Sequence, residues 1–201
     1  MAVVYKEGKP IRIPNAYGEY VTPSAISILD GKIVVGKLAK ERLITHPECS
    51  ASLFKRNMGT DVTYKLDKKE YDSATLSSFI VKQLIEDAQN YLHESIDEVV
   101  ISVPAYFNAR QRQDTKRIGE LLGIKVERLI NEARAAVVAL QLAGSSNKME
   151  RPRTGGTLII CYLCCHLSSS FPRPLLQPTR ADCSAVHSYD RVIHVPLAHC
   201  L

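Results

Sequence analysis

One stretch limits the possible folds more than any other: Glu-Val-Val-Ile-Ser-Val at residues 98–103, stopped by Pro104. Its apolar residues do not alternate with polar ones. A compact β-branched run of this kind predicts a strand buried on both faces, as strands are in parallel sheets covered by helices. The downstream sequence agrees. Residues 109–122 read as a helix that Asn108 can cap, with Gly119 and Gly123 near its end. Residues 126–130 read as a second strand, 132–142 as an Ala-rich helix, 143–156 as a Gly/Ser/Pro- and charge-rich loop, and 157–160 as the start of a further strand. Strand, helix, strand, helix, loop, strand predicts an α/β domain with crossover helices. Ligands in such domains sit at the carboxyl ends of the strands, so the turns after Val103 and Ile130 are the places to look for chemistry.

The first half is less regular. Residues 3–5 and 11–13 flank Glu7-Gly8-Lys9-Pro10 and predict a hairpin; residues 24–29 and 32–35 flank Asp30-Gly31 and predict another. A helix is expected over 35–43, stopped by Pro47. The strongest helical pattern covers 71–92, capped by Asp72 or Ser73, with Leu76, Ile80, Leu84, Ala88 and Tyr91 on one apolar face.

The net charge of +5 is spread along the chain. It forms no dense Lys/Arg stripe, which argues against a nucleic-acid partner. No apolar run approaches the roughly 20 residues a membrane helix needs. Lys6, Glu7 and Lys9 interrupt the start, so no signal peptide is read there and a cytoplasmic location is expected. From Cys161 the composition changes. Residues 161–201 hold no Gly, Lys, Glu, Asn or Met, but do hold Cys161, Cys164, Cys165, Cys183 and Cys200. No helical or strand period persists there, and the segment reads as a disordered tail translated out of frame. Cys161, Cys164, Cys165 and His166 invite a zinc reading, but no second Cys pair follows at matching spacing, and no metal site is expected.

Three places hold candidate chemistry. Lys55-Arg56 follows Leu53-Phe54, a pairing that can hold a cation towards a cleft; a solvated surface pair is the bland alternative. Glu132 follows the strand 126–130, where a carboxylate could orient a water or a metal-bound ligand. Alternatively, Asn131 caps the next helix and Glu132 complements its dipole. Pro104 ends the buried strand, and Arg110 and Arg112 sit in the first turn of the following helix, where positive charge opposes the dipole. That placement suggests a partner, an anion or an acidic neighbour, against simple surface solvation.

Several motifs now stand together. Thr22-Pro23-Ser24, Val35-Gly36-Lys37, Leu53-Phe54-Lys55-Arg56, Val100 to Asn108, Arg112-Gln113 and Arg128-Leu129-Ile130-Asn131-Glu132 occur in the order of the DnaK-type heat shock protein 70 chaperones. The chain resembles that family over about residues 2–160. Residues 13–27 and 46–59 are most similar to its bacterial HscC branch. The resemblance implies lobe I of an actin-like (ribonuclease H-like) ATPase fold, a mixed sheet with crossover helices, over residues 1–160, with 161–201 outside it. It implies ATP and Mg2+ as cofactors of the intact family. Lys55 and Glu132 match its catalytic positions, and Lys55, Arg56 and Glu132 would lie at the nucleotide. Pro104 and Arg112 match the proline switch and arginine relay that couple the domains. Unfolded protein clients, a J-domain co-chaperone and a nucleotide exchange factor are the implied partners.

The departures are equally specific. The family opens with a strand bearing Asp-Leu-Gly-Thr, and this chain starts on what would be the second strand, which leaves a sheet edge expected to be unpaired. After Glu132 the family has Pro-Thr, and here Ala133-Arg134 follow. Residues 157–160 should run into Asp-Leu-Gly-Gly-Gly-Thr, and run into Cys161-Tyr162 instead. With both phosphate loops missing, the expectation is a chaperone ATPase fragment that does not hydrolyse ATP. The alternative is a non-enzymatic interaction module or a pseudogene product.

Overall fold

The structure, a computed structural model, describes residues 1–6, 9–132 and 158–162. Its largest element is a five-stranded sheet in the order β2-β1-β10-β8-β9. Strands β1 (Ala2–Lys6) and β2 (Lys9–Ile13) pair antiparallel, as the first hairpin pattern predicts. Strand β8 (Glu98–Val103) pairs in parallel with β9 (Lys125–Asn131), and helix α3 (Ala109–Leu122) crosses between them. Strand β8 matches its expected bounds, and Val99, Val100, Ile101 and Val103 are all buried. Helix α3 also starts and stops where the sequence says. Asn108 and Gln111 form a reciprocal capping box, and Gly123 closes the helix in the left-handed region at φ 66°.

Strand β10 (Leu158–Tyr162) lies between β1 and β8, antiparallel to the first and parallel to the second. The edge expected to be unpaired is therefore covered. The strand also continues two residues past Ile160, so Cys161 pairs with Ala2 and Ile101. The rest of the tail lies outside the described residues, as do the helix expected over 132–142 (Glu132 excepted) and the loop over 143–156.

A smaller sheet, β4-β3-β5, stands beside the large one. Strands β3 (Ala25–Leu29) and β4 (Lys32–Val35) turn through Asp30 and Gly31, at φ 51° and 73°. Two positive φ values make the turn twist with its strands, which explains the Asp-Gly pair. Helix α1 (Lys37–Thr45) follows, then a 3-10 turn from Pro47 and the short strand β5 (Ser50–Ser52).

One hairpin is unannounced in the sequence. Strands β6 (Thr63–Leu66) and β7 (Lys69–Asp72) turn through Asp67 and Lys68, both left-handed and neither glycine. Tyr71 is thus in a strand, and helix α2 (Ser73–Leu92) begins two residues later than its pattern suggests. Leu76, Ile80, Leu84 and Ala88 are buried as expected, but Tyr91 is 48% exposed. Leu92, its neighbour in the last turn, packs against the core instead. Among the described residues no helix is long and apolar enough to cross a membrane.

Asp72 caps α2, its Oδ1 accepting from the Thr75 amide at 2.8 Å while its Oδ2 accepts from Arg117 of α3 at 2.6 Å. Burial works to raise its pKa, but the Thr75 hydroxyl and amide and the Arg117 charge together hold it below the usual carboxylate value. A carboxyl depressed in the folded state adds stability above its unfolded pKa and loses it as pH falls through the folded one. Asp72→Asn keeps a capping oxygen and removes only the charge that meets Arg117, so it should cost roughly 0.5 kcal/mol at neutral pH. Urea unfolding should show that difference vanish on acidification; a gap that persists below both pKa values would contradict the assignment.

Candidate functional site

Lys55 sits in a 3-10 turn (Phe54–Asn57) entered through Leu53, which is left-handed at φ 59°. The turn buries Phe54 and Met58 at 1% and 0% exposure, and it carries Lys55 inward with them, to 4%. A cation so buried needs a counter-charge. Lys55 Nζ donates to Glu132 Oε1 at 2.9 Å, across 77 residues of sequence. Glu132 is placed by β9, whose last residue is Asn131, and its side chain is 23% exposed. The pair thus lies at the carboxyl end of the parallel strands, where the fold class places ligands.

The strand-to-helix turn after Pro104 joins the same site. Pro104 is buried and its carbonyl accepts from the Phe107 amide at 3.1 Å. The Phe107 ring comes within 5.9 Å of Lys55 Nζ, at the outer limit of a cation–π contact. Arg112 Nε donates to the Phe107 carbonyl at 3.0 Å, and its Nη2 donates to Asn131 Oδ1 at 2.9 Å. A continuous path therefore runs from Pro104 through Phe107, Arg112 and Asn131 to Glu132 and Lys55. Arg110 pairs with Asp61. Both arginines in the unfavourable first turn of α3 have partners, and Asn131 spends its side-chain oxygen on Arg112.

The structure brings Lys55, Glu132, Pro104 and Arg112 together. Arg56 is exposed and joins no ion pair among the described residues, so the surface reading holds for it and fails for Lys55. Pattern reading missed Phe107 and Asp114, and it read Asn131 only as a helix cap rather than as the acceptor for Arg112. Asp114 Oδ2 accepts from the Gly59 amide at 2.9 Å and so pins the far end of the Lys55 turn to α3. Gly59 was the available signal: at φ 73°, a Cβ there would meet the Gln111 backbone nitrogen at 2.9 Å.

This arrangement is the lobe-I edge of an actin-like α/β fold, with one buried cation and one carboxylate facing the sheet's carboxyl end. The family model described as Hsp70 protein matches residues 1–67 and 60–151. The chain is 46% identical over 140 residues to the chaperone protein DnaK of Thermotoga petrophila, covering 68% of this chain and 24% of that protein. It is 45% identical over the same length and shares to the chaperone protein DnaK of Thermotoga neapolitana. The chain belongs to the Hsp70 family, and it spans about a quarter of the length of the curated relatives it matches.

The family's cofactors can be tested against these residues. Lys55 fits a phosphoryl oxygen: it is buried, positive and at the correct end of the sheet. Magnesium is a different case. Among the described residues no group of three His, Cys, Asp or Glu side chains converges, and Glu132 already accepts from Lys55. No such cluster is needed for magnesium on a nucleotide, which takes one or two carboxylates beside waters and phosphate oxygens, and Glu132 would be the carboxylate offered here.

Proposed function

We propose that this chain is a piece of the nucleotide-binding domain of an ATP-dependent protein-folding chaperone, and that it does not itself turn over ATP. The buried Lys55–Glu132 pair supports the reading most directly, because an almost fully buried lysine paired with a carboxylate at the carboxyl end of the sheet puts positive charge where a phosphate would lie. In that role Lys55 would offset charge on a transferring phosphate, and Glu132 would hold Lys55 in place. Arg56 would stand at the rim, and Pro104 and Arg112 would relay the state of the site outward. The absent turnover follows from the neighbouring strand. Strand β10 ends on Cys161-Tyr162, which supplies neither the carboxylate nor the glycine amides that cradle a phosphate.

In the complete chaperone, unfolded protein clients, a J-domain co-chaperone and a nucleotide exchange factor would be the partners, in the cytoplasm, with ATP and Mg2+ as cofactors. The similarity of residues 13–27 and 46–59 would place that chaperone in the HscC branch. A second reading, a non-enzymatic interaction module, has its own support. A cavity of about 680 Å³ runs between α3 and the edge strand β9, with Arg112, Lys116 and Arg128 in its lining. Calorimetry with Mg-ATP and a phosphate-release assay, run with and without a J-domain protein, test both. The expected result is no turnover and no micromolar nucleotide affinity. Micromolar Mg-ATP binding would overturn the inactive-fragment reading, and J-domain binding without turnover would favour the module.

A further inference from the structure

The two members of the buried ion pair arrive from elements 77 residues apart, yet α3 holds both. On the Glu132 side, Arg112 Nη2 donates to Asn131 Oδ1 at 2.9 Å, one residue before the carboxylate. On the Lys55 side, the Gly59 amide donates to Asp114 Oδ2 at 2.9 Å, four residues after the ammonium. Arg112 and Asp114 stand two positions apart, about 200° around the helix, so one reaches the strand end and the other the turn. Gly59 also lies against the helix itself, since a Cβ there would meet Gln111 N at 2.9 Å. That first turn of α3 is fixed in its own right by the Asn108–Gln111 capping box.

The Lys55 turn needs such a hold. Leu53 enters it at φ 59°, a left-handed conformation that strains a leucine. The Leu53 side chain is 49% exposed, so its own packing does little to offset the strain. Bonds inside the turn make it one unit: the Arg56 amide donates to Leu53 O at 3.0 Å, and the Met58 amide to Lys55 O at 3.2 Å. From outside, that unit is held by the burial of Phe54 and Met58, by Asn57 Nδ2 donating to Tyr64 Oη at 2.8 Å, and by Asp114. Of the two hydrogen bonds, the one to Asp114 has a charged acceptor. It also joins the turn to the helix that places Glu132.

We propose that Asp114 is a positioning residue for Lys55: together with Arg112 it makes α3 a common brace that sets the separation of Lys55 from Glu132. Without the bond to Gly59, the strained turn relaxes away from α3 and takes the ammonium with it, while Arg112 keeps Glu132 in place. The proposal rests on Lys55 and Glu132 being the site described above. The geometry of the pair can be read without nucleotide, so a failure to bind nucleotide leaves it standing.

The test is the NMR signal of the Lys55 ammonium in the 15N-labelled full chain, assigned by its loss in Lys55→Met. A buried, hydrogen-bonded ammonium exchanges its protons with water only when the site opens. Asp114→Ala should speed that exchange about tenfold or more, the factor expected for losing one bond to a charged acceptor. Asp114→Asn keeps an oxygen for the Gly59 amide and should stay near wild type. Arg117→Ala removes the pair between α3 and Asp72 and leaves the Lys55 turn untouched, so it too should stay near wild type. Exchange that remains slow in Asp114→Ala overturns the proposal. Fast exchange in Asp114→Asn also overturns it, because the charge rather than the bond to Gly59 would then be the cause. Fast exchange in Arg117→Ala does the same, because general loosening of α3 would be the cause. If Asp114→Ala does not fold, Asp114→Ser, whose side chain is too short to reach Gly59, takes its place under the same criteria.

Discussion

Glu132→Ala should lower the stability of this chain by roughly 3 kcal/mol, as seen when one partner of a buried ion pair is removed. The figure is set at the low end of that range because the Glu132 side chain keeps 23% of its exposure. In thermal unfolding this corresponds to a fall of roughly 6–12 °C for a chain of this size. Lys55→Met should be far milder, about 1 kcal/mol or less, since it removes the buried charge and fills the same space with an apolar chain. Glu132, at 23% side-chain exposure, can still be hydrated, whereas Lys55 at 4% exposure has little access to water. Urea titrations of the two variants give the comparison. A larger loss for Lys55→Met than for Glu132→Ala would show that the lysine's stem, not its charge pairing, matters at this position.

Some of this could be read before the structure and some could not, for identifiable reasons. Strand β8 and helix α3 were legible to the residue, because an unbroken β-branched run ended by proline and an Asn108 cap with Gly123 at the far end are local signals. The β6–β7 hairpin was not, because its left-handed turn uses Asp67 and Lys68 where glycine would have marked it. Tyr91 continues the helical period of α2 yet is 48% exposed, which the period alone does not reveal. The site divides in the same way. Lys55, Glu132, Pro104 and Arg112 were picked out through motif order, yet burial of Lys55 depends on contacts 55 to 77 residues away, Gly59 to Asp114 and Lys55 to Glu132. Periodicity within a short window carries no information about such pairs. The position of β10 is another long-range fact: the strand was predicted, but its place between β1 and β8 depends on which backbone edges are open.

Those edges matter to the site through the α3–β9 unit, and one glycine governs how closely the two can approach. Gly119 lies inside α3, where alanine would ordinarily be favoured by about 1 kcal/mol. Here a Cβ would lie 2.5 Å from Val126 Cγ2 and 2.6 Å from the Ile124 carbonyl oxygen. The valine methyl can rotate away; the carbonyl cannot, because the Ile124 amide is bonded to Gly119 O at 2.9 Å and holds that backbone in place. The last turn of α3 must then lift from β9. We expect Gly119→Ala to destabilise by roughly 2–3 kcal/mol, near the top of the range for overpacking and despite the gain in helix propensity. Gly123→Ala is the informative control: it has open space around it and only a left-handed φ of 66° to strain, so it should cost about 1 kcal/mol. The lift would also carry Arg112 away from Asn131, and with it the link between α3 and the strand end that places Glu132. Amide exchange along β9 should therefore accelerate in Gly119→Ala and stay near wild type in Gly123→Ala. If Gly119→Ala is neutral or stabilising, α3 does not pack on β9 this closely, and the path from Pro104 to Lys55 is not rigid.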